Sequence, residues 1–119
     1  MAQVIEFKRD KKFTLHEAQT LLPIIQRITS TAVARVEFLK KKIEEMDERL
    51  ASRVLYEQEM IDCIHRWSDK IQKLGCTPKG LWLVDFDNGQ GYYCWRYPEG
   101  DLSFYHTYQQ GLTGRQPIL

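Results

Sequence analysis

Hydrophobic residues recur at alternating spacings of three and four through Leu15, Ala18, Leu22, Ile25, Thr29, Ala32, Val36, Leu39, Ile43, Met46 and Leu50. An unbroken pattern of this kind is the seam of a long amphipathic helix. Its start is marked by Thr14-Leu15-His16-Glu17, a capping box in which Thr14 caps the Glu17 N–H and Glu17 reaches back. Leu21, Ile24 and Ile28 form a second apolar row, so the first half of the helix is expected to bury a wide face. Pro23 lies inside the pattern and removes a backbone donor, which predicts a kink or a short break there.

From Ile24 to Leu74 the chain has neither Gly nor Pro. Met60, Ile64, Trp67, Ile71 and Leu74 make a second seam in the phase of the first. Two arrangements fit: one very long helix, or a helical hairpin that turns near Asp47–Ser52. Gly75, preceded by Lys70 and Lys73 in the last turn, is a C-terminal stop. A helix from Pro23 to Leu50 alone would run on the order of 40 Å, longer than a small sheet covers. Burial of Val36, Leu39, Ile43 and Met46 therefore predicts a homodimer or higher oligomer formed through the helices.

After Gly75 the period changes to two. Leu81–Phe86, Tyr92–Tyr97 and Leu102–Tyr108 read as strands, separated by the turns Asp87-Asn88-Gly89-Gln90 and Pro98-Glu99-Gly100-Asp101. The expected architecture is α+β: a helical hairpin over residues 13–74 packed on a three-stranded antiparallel meander over 81–108, with an irregular Gly/Arg tail over 109–119, all in one domain spanning 1–119. Two-residue turns at Asn88-Gly89 and Glu99-Gly100 would pair Val84 with Tyr93, Trp95 with Phe104 and Tyr93 with His106. Trp82, Val84, Phe86, Tyr93, Trp95, Phe104 and His106 then share the core face. Leu83, Asp85, Tyr92, Cys94 and Tyr105 share a mixed face of the kind that lines a pocket or an interface. In this register Cys94 and His106 point to opposite sides of the sheet and share no metal.

The ends and the composition narrow the function classes. Val4–Phe7 is a candidate short strand or arm. The N-terminal apolar stretch is too short for a signal peptide and no apolar run reaches membrane-spanning length, which points to a cytoplasmic protein with no membrane partner. Cys63, Cys76 and Cys94 lack CxxC spacing and read as reduced thiols. The 119 residues carry a net charge of +1, without the basic surplus of a nucleic-acid binder. There is no P-loop, GxGxxG, HExxH or GxSxG motif, and the sequence requires no cofactor.

The C-terminal third carries Leu83-Val84-Asp85-Phe86, Cys94-Trp95-Arg96, Glu99, His106 and Gly114-Arg115-Gln116-Pro117. Together with Phe13-Thr14-Leu15-His16-Glu17-Ala18 and Leu21-Leu22-Pro23, this resembles the prokaryotic domain-of-unknown-function 2203 family. The loops flanking Leu83–Phe86 are shorter here, and Tyr105 stands where that family tends to Trp. The resemblance implies a helical segment of variable middle, which favours the hairpin, followed by a small sheet, and it implies no activity. It also places polar residues at Asp85, Glu99, His106 and Arg115, the candidate ligand-binding set.

One reading of that set is structural: a carboxylate holds His106, and Arg115 pins the tail through an ion pair. A second is a small-ligand site near His106. A third is a metal or acid–base site of His106, Glu99 and Asp85. The functional expectation is a non-enzymatic binding or assembly module that oligomerises through its helices. The alternative is a metal-binding protein or metal-assisted hydrolase using those three residues.

Overall fold

The computed structural model describes residues 11–119; the expected strand at Val4–Phe7 lies outside them. Two helices, α1 (Leu15–Glu44) and α2 (Ala51–Lys73), precede five strands: β1 (Thr77–Lys79), β2 (Leu83–Asp87), β3 (Gly91–Arg96), β4 (Phe104–Thr107) and β5 (Gln116–Pro117). The strands form one sheet in chain order, every pair antiparallel. The fold is α+β, with five strands where the pattern of alternation predicts three.

The α1 cap forms as expected. The Glu17 N–H donates to Thr14 Oγ1 at 3.1 Å, and the Thr14 N–H donates to Glu17 Oε1 at 2.8 Å. The seam positions Ala18, Leu22, Ile25, Thr29, Ala32, Val36, Leu39 and Ile43 are buried. The second row is less enclosed: Leu21 and Ile28 are half-buried and Ile24 is exposed. No break occurs at Pro23, and α1 runs through it. Pro23 and Gln19, whose carbonyl loses its helical partner, both face solvent, where water can supply that bond.

The hairpin turn occupies residues 45–50, slightly earlier than predicted. Asp47 organises it: its carboxylate accepts from the Arg49 N–H at 2.9 Å, and its carbonyl accepts from the Leu50 N–H at 3.1 Å. An aspartate bonded to the backbone two residues on does the work of a Gly or Pro breaker. At the other end, α2 stops in a Schellman motif. Gly75, at φ +90°, donates to the Gln72 carbonyl at 2.9 Å, and Cys76 donates to the Ile71 carbonyl at 3.2 Å.

The helices pack on one face of the sheet. The shared core comprises Ala18, Leu22, Ile25, Trp67 and Ile71 from the helices with Val84, Phe86 and Trp95 from the strands. Trp67 meets Trp82 edge-to-face at 4.9 Å, and Phe13 meets Phe86 likewise at 5.4 Å. Gln26 Nε2 donates to the carbonyls of Glu99 and Gly100 at 3.2 and 3.0 Å, fastening α1 to the β3–β4 connection. Among the described residues, no helix is long and apolar enough to cross a membrane.

The register departs from expectation at both turns. Across β2–β3 the pairs are Val84↔Trp95, Asp85↔Cys94 and Phe86↔Tyr93. The loop at Asn88–Gln90 has three residues, with the Asn88 side chain accepting from the Gln90 and Gly91 N–H groups at 2.8 Å each. This slip is by two positions, so the predicted faces of β2 and β3 survive. Across β3–β4 the pairs are Tyr92↔His106, Tyr93↔Tyr105 and Cys94↔Phe104. That is a slip of one, and it turns β4 over. Phe104 and His106 lie on the face of Asp85 and Cys94, and the expectation that Cys94 and His106 point apart is overturned. The physical cause is the connection between β3 and β4, which spans Tyr97 to Ser103 instead of closing in a two-residue turn. The tail is not irregular throughout: Leu112–Gly114 makes a 3₁₀ turn, and β5 pairs with β4.

Candidate metal centre

Adjacent strands β2, β3 and β4 each bring one buried side chain to the sheet face away from the helices: Asp85, Cys94 and His106. Asp85 and Cys94 are direct cross-strand partners, and His106 lies two residue pairs further along, beside Tyr92. One carboxylate oxygen, the Cys94 Sγ and one His106 ring nitrogen all lie within 4.8 Å of one another. His106 Nε2 is 3.2 Å from Asp85 Oδ2, and these two side chains are only 4% and 3% exposed.

The hydrogen bonds fix the imidazole. Its Nδ1 is 2.8 Å from the Thr107 carbonyl, which can only accept, so Nδ1 carries a hydrogen. Nε2 is therefore the nitrogen turned to the other two groups. Burial pushes the Cys94 thiol up to about 12; the Asp85 charge and the thiol's hydrogen bond to that carboxylate reinforce the shift, while Arg115 opposes it.

A pocket of about 90 Å³ opens on this cluster. Lys79, Leu83 and Tyr92 line it from the strands, and Tyr108, Gln110, Gly111 and Leu112 from the segment after β4. The Tyr92 ring stacks at a tilt on His106 with centroids 5.4 Å apart and meets the Tyr108 ring edge-on at 5.2 Å. Tyr108 in turn donates to Asp87 Oδ1 at 2.7 Å, a bond that pushes the phenol up to about 12. Burial alone would raise Asp87. Its bonds from the Gly89 N–H, the Tyr108 hydroxyl and Lys12 instead hold the carboxyl below its usual range.

The other two candidate residues are elsewhere. Glu99 accepts from Arg115 Nη2 at 2.7 and 2.9 Å and from the Arg96 N–H at 2.8 Å. Arg115 also donates to the Cys94 carbonyl at 3.3 Å and lies over the Phe104 ring at 4.0 Å. This pair ties the tail and the β3–β4 connection to the sheet. The four residues thus divide into Asp85 with His106 and Glu99 with Arg115. Cys94, not Glu99, is the third member of the cluster. Its one sequence signal, alternation with Asp85 on the mixed face, is masked by the assumed β4 register.

The chain belongs to the DUF2203 family: the model of that family, described as an uncharacterized conserved protein, matches residues 11–118. No curated protein and no solved structure gives a significant match.

Proposed function

We propose that this is a metal-binding protein in which Asp85, Cys94 and His106 hold one divalent transition ion, Zn²⁺ by preference. The observation that carries this reading is the convergence of a carboxylate, a thiol and a ring nitrogen within 4.8 Å on three adjacent strands. Zinc bonds of roughly 2.0–2.3 Å put tetrahedral ligand atoms about 3.3–3.7 Å apart, so a small inward movement closes the site. The charges favour a divalent ion. A carboxylate, a thiolate and a neutral imidazole sum to −2, and their Zn²⁺ complex is neutral, as burial demands. The Nδ1–H to Thr107 carbonyl bond is the outer-shell support that orients a metal-ligating histidine. A fourth position faces the pocket, the pattern of zinc sites that exchange a ligand. The Glu99 carboxylate accepts from Arg115 at 2.7 Å, which favours Cys94 over Glu99 as the third ligand.

Elemental analysis of protein purified without chelator, and again after dialysis against Zn²⁺, tests the proposal. One ion per chain is expected, lost in Cys94→Ser and in His106→Ala but retained in Arg115→Ala. Co²⁺ substitution should give a thiolate charge-transfer band that Cys94→Ser abolishes. Folded wild-type protein that takes up no metal after dialysis overturns the reading.

Assembly through the helices is a second, compatible reading, supported by the far end of the hairpin. Phe38, Val54, Leu55 and Ile61 are exposed there, with Leu55 at 72%. The chain's radius of gyration is 16.6 Å, against roughly 13–14 Å for a compact domain of this length. We propose that a second copy covers this end. Sedimentation at tens of micromolar should give a dimer, and Val54→Lys with Leu55→Lys a monomer. A wild-type monomer overturns it.

A further inference from the structure

Between α1 and α2 lies a groove of about 420 Å³ that shares no lining residue with the Asp85–Cys94–His106 cluster. Arg27 and Arg35 on α1 and Arg66 and Lys70 on α2 stand along its walls. Ile28, Ala32 and Trp67 contribute the apolar floor. Arg27 and Arg35 are eight residues apart on one helix face, about 12 Å. One carboxylate answers these cations: Glu59, at the Arg35 end, lies 3.9 Å from Arg35 Nε and 3.0 Å from Arg66 Nη2. Among the described residues, Arg27 and Lys70 make no ion pair. A chain of net charge +1 thus gathers four cations around one concave surface.

We propose that this groove binds a small organic polyphosphate of nucleoside-diphosphate size. Guanidinium groups match phosphate oxygens in paired hydrogen bonds, and the Arg27–Lys70 end offers two cations with no competing carboxylate. The apolar floor and the volume suit the organic portion of such a ligand, since small-molecule sites occupy roughly 300–1,000 Å³. A long phosphate backbone fits less well. It would run past the Glu59 carboxylate at the Arg35 end. The site shares no residue with Asp85, Cys94 and His106, so the proposal is independent of metal binding.

Titration calorimetry of the full chain in EDTA, at low salt and without phosphate buffer, tests it with ADP, pyrophosphate and a ten-nucleotide single strand. ADP should bind one per chain, weaken as salt rises, and compete with pyrophosphate. The double substitution Arg27→Ala with Lys70→Ala should weaken ADP by at least about tenfold while the melting temperature holds. His106→Ala should leave ADP affinity unchanged. No binding of ADP or pyrophosphate at millimolar concentration overturns the proposal. So does ADP binding that ignores the double substitution, or preferential binding of the oligonucleotide that ADP does not displace.

Discussion

The indole N–H of Trp67 donates to the hydroxyl of Thr29 at 2.8 Å, and both groups are buried between α1 and α2. Thr29 is the one polar residue among the buried positions of the α1 seam, and this bond accounts for it. Thr29→Val keeps the shape and leaves the indole donor unpaired, which should destabilise by about 1–3 kcal/mol. Thr29→Ser keeps the bond and should cost less. Urea denaturation of the two variants checks the order. A larger loss in Thr29→Ser than in Thr29→Val would mean that the methyl, not the hydroxyl, is what matters.

Arg115 and Glu99 form a partly buried pair, 11% and 26% exposed. Arg115→Ala removes the pair, the contact with the Cys94 carbonyl and the packing on Phe104. A loss of about 2 kcal/mol is expected, between the values for exposed and fully buried pairs. β5 should loosen with it, seen as faster amide exchange at Tyr105 and Ile118, while metal content stays at one per chain. Loss of metal in this variant with the fold intact would place Arg115 within the metal site.

Much of this architecture is legible in the sequence. The helices announce themselves because their seam is long, their period is 3.6, and Thr14, Glu17 and Gly75 mark the ends with specific backbone chemistry. The faces of β2 and β3 are legible because alternation survives a slip of two. The face of β4 is not, because it depends on the span from Tyr97 to Ser103, and a slip of one inverts every side chain. That inversion separates Cys94 from His106 on paper and brings them together in the fold. β1 and β5 escape notice because they are three and two residues long and each contains a proline, Pro78 or Pro117, as edge strands tolerate. The grouping of Glu99 with His106 fails for another reason: residue type does not say which carboxylate an arginine claims.

Cys76 gives the protein an alkaline liability. Burial pushes its thiol up to about 12 from an ordinary 9.0, with Lys11 opposing. A group raised on folding stabilises fully below its unfolded value and loses that contribution as pH climbs to the folded one. Stability of metal-free, reduced protein should therefore fall between about pH 9 and about 12, at up to roughly 1.4 kcal/mol per pH unit for one thiol. Cys94, raised in the same direction, adds to the slope. Denaturation midpoints across this range should fall less steeply in Cys76→Ala, and less again with Cys94→Ala added. Parallel curves for all three proteins would rule out the thiols as the cause.

Gly91 governs how closely β4 approaches β3. It is buried opposite Thr107, and a Cβ built on it would sit 2.5 Å from the His106 carbonyl oxygen and 3.2 Å from the Thr107 Cα. Both obstacles are backbone, so no side chain can turn aside to make room. Gly91→Ala must push β4 away from β3 at the residue that brings His106 to Asp85. A loss of about 1–3 kcal/mol is expected from the forced shift. Because His106 moves relative to Asp85 and Cys94, Zn²⁺ affinity should drop as well, although no ligand atom is removed. Gly100→Ala, where an added Cβ meets nothing within 4 Å, is the matched control and should change neither property. Thermal melts with and without Zn²⁺ read both effects. A Gly91→Ala protein as stable as wild type and as strongly stabilised by Zn²⁺ would show that the close β3–β4 approach does not set the site.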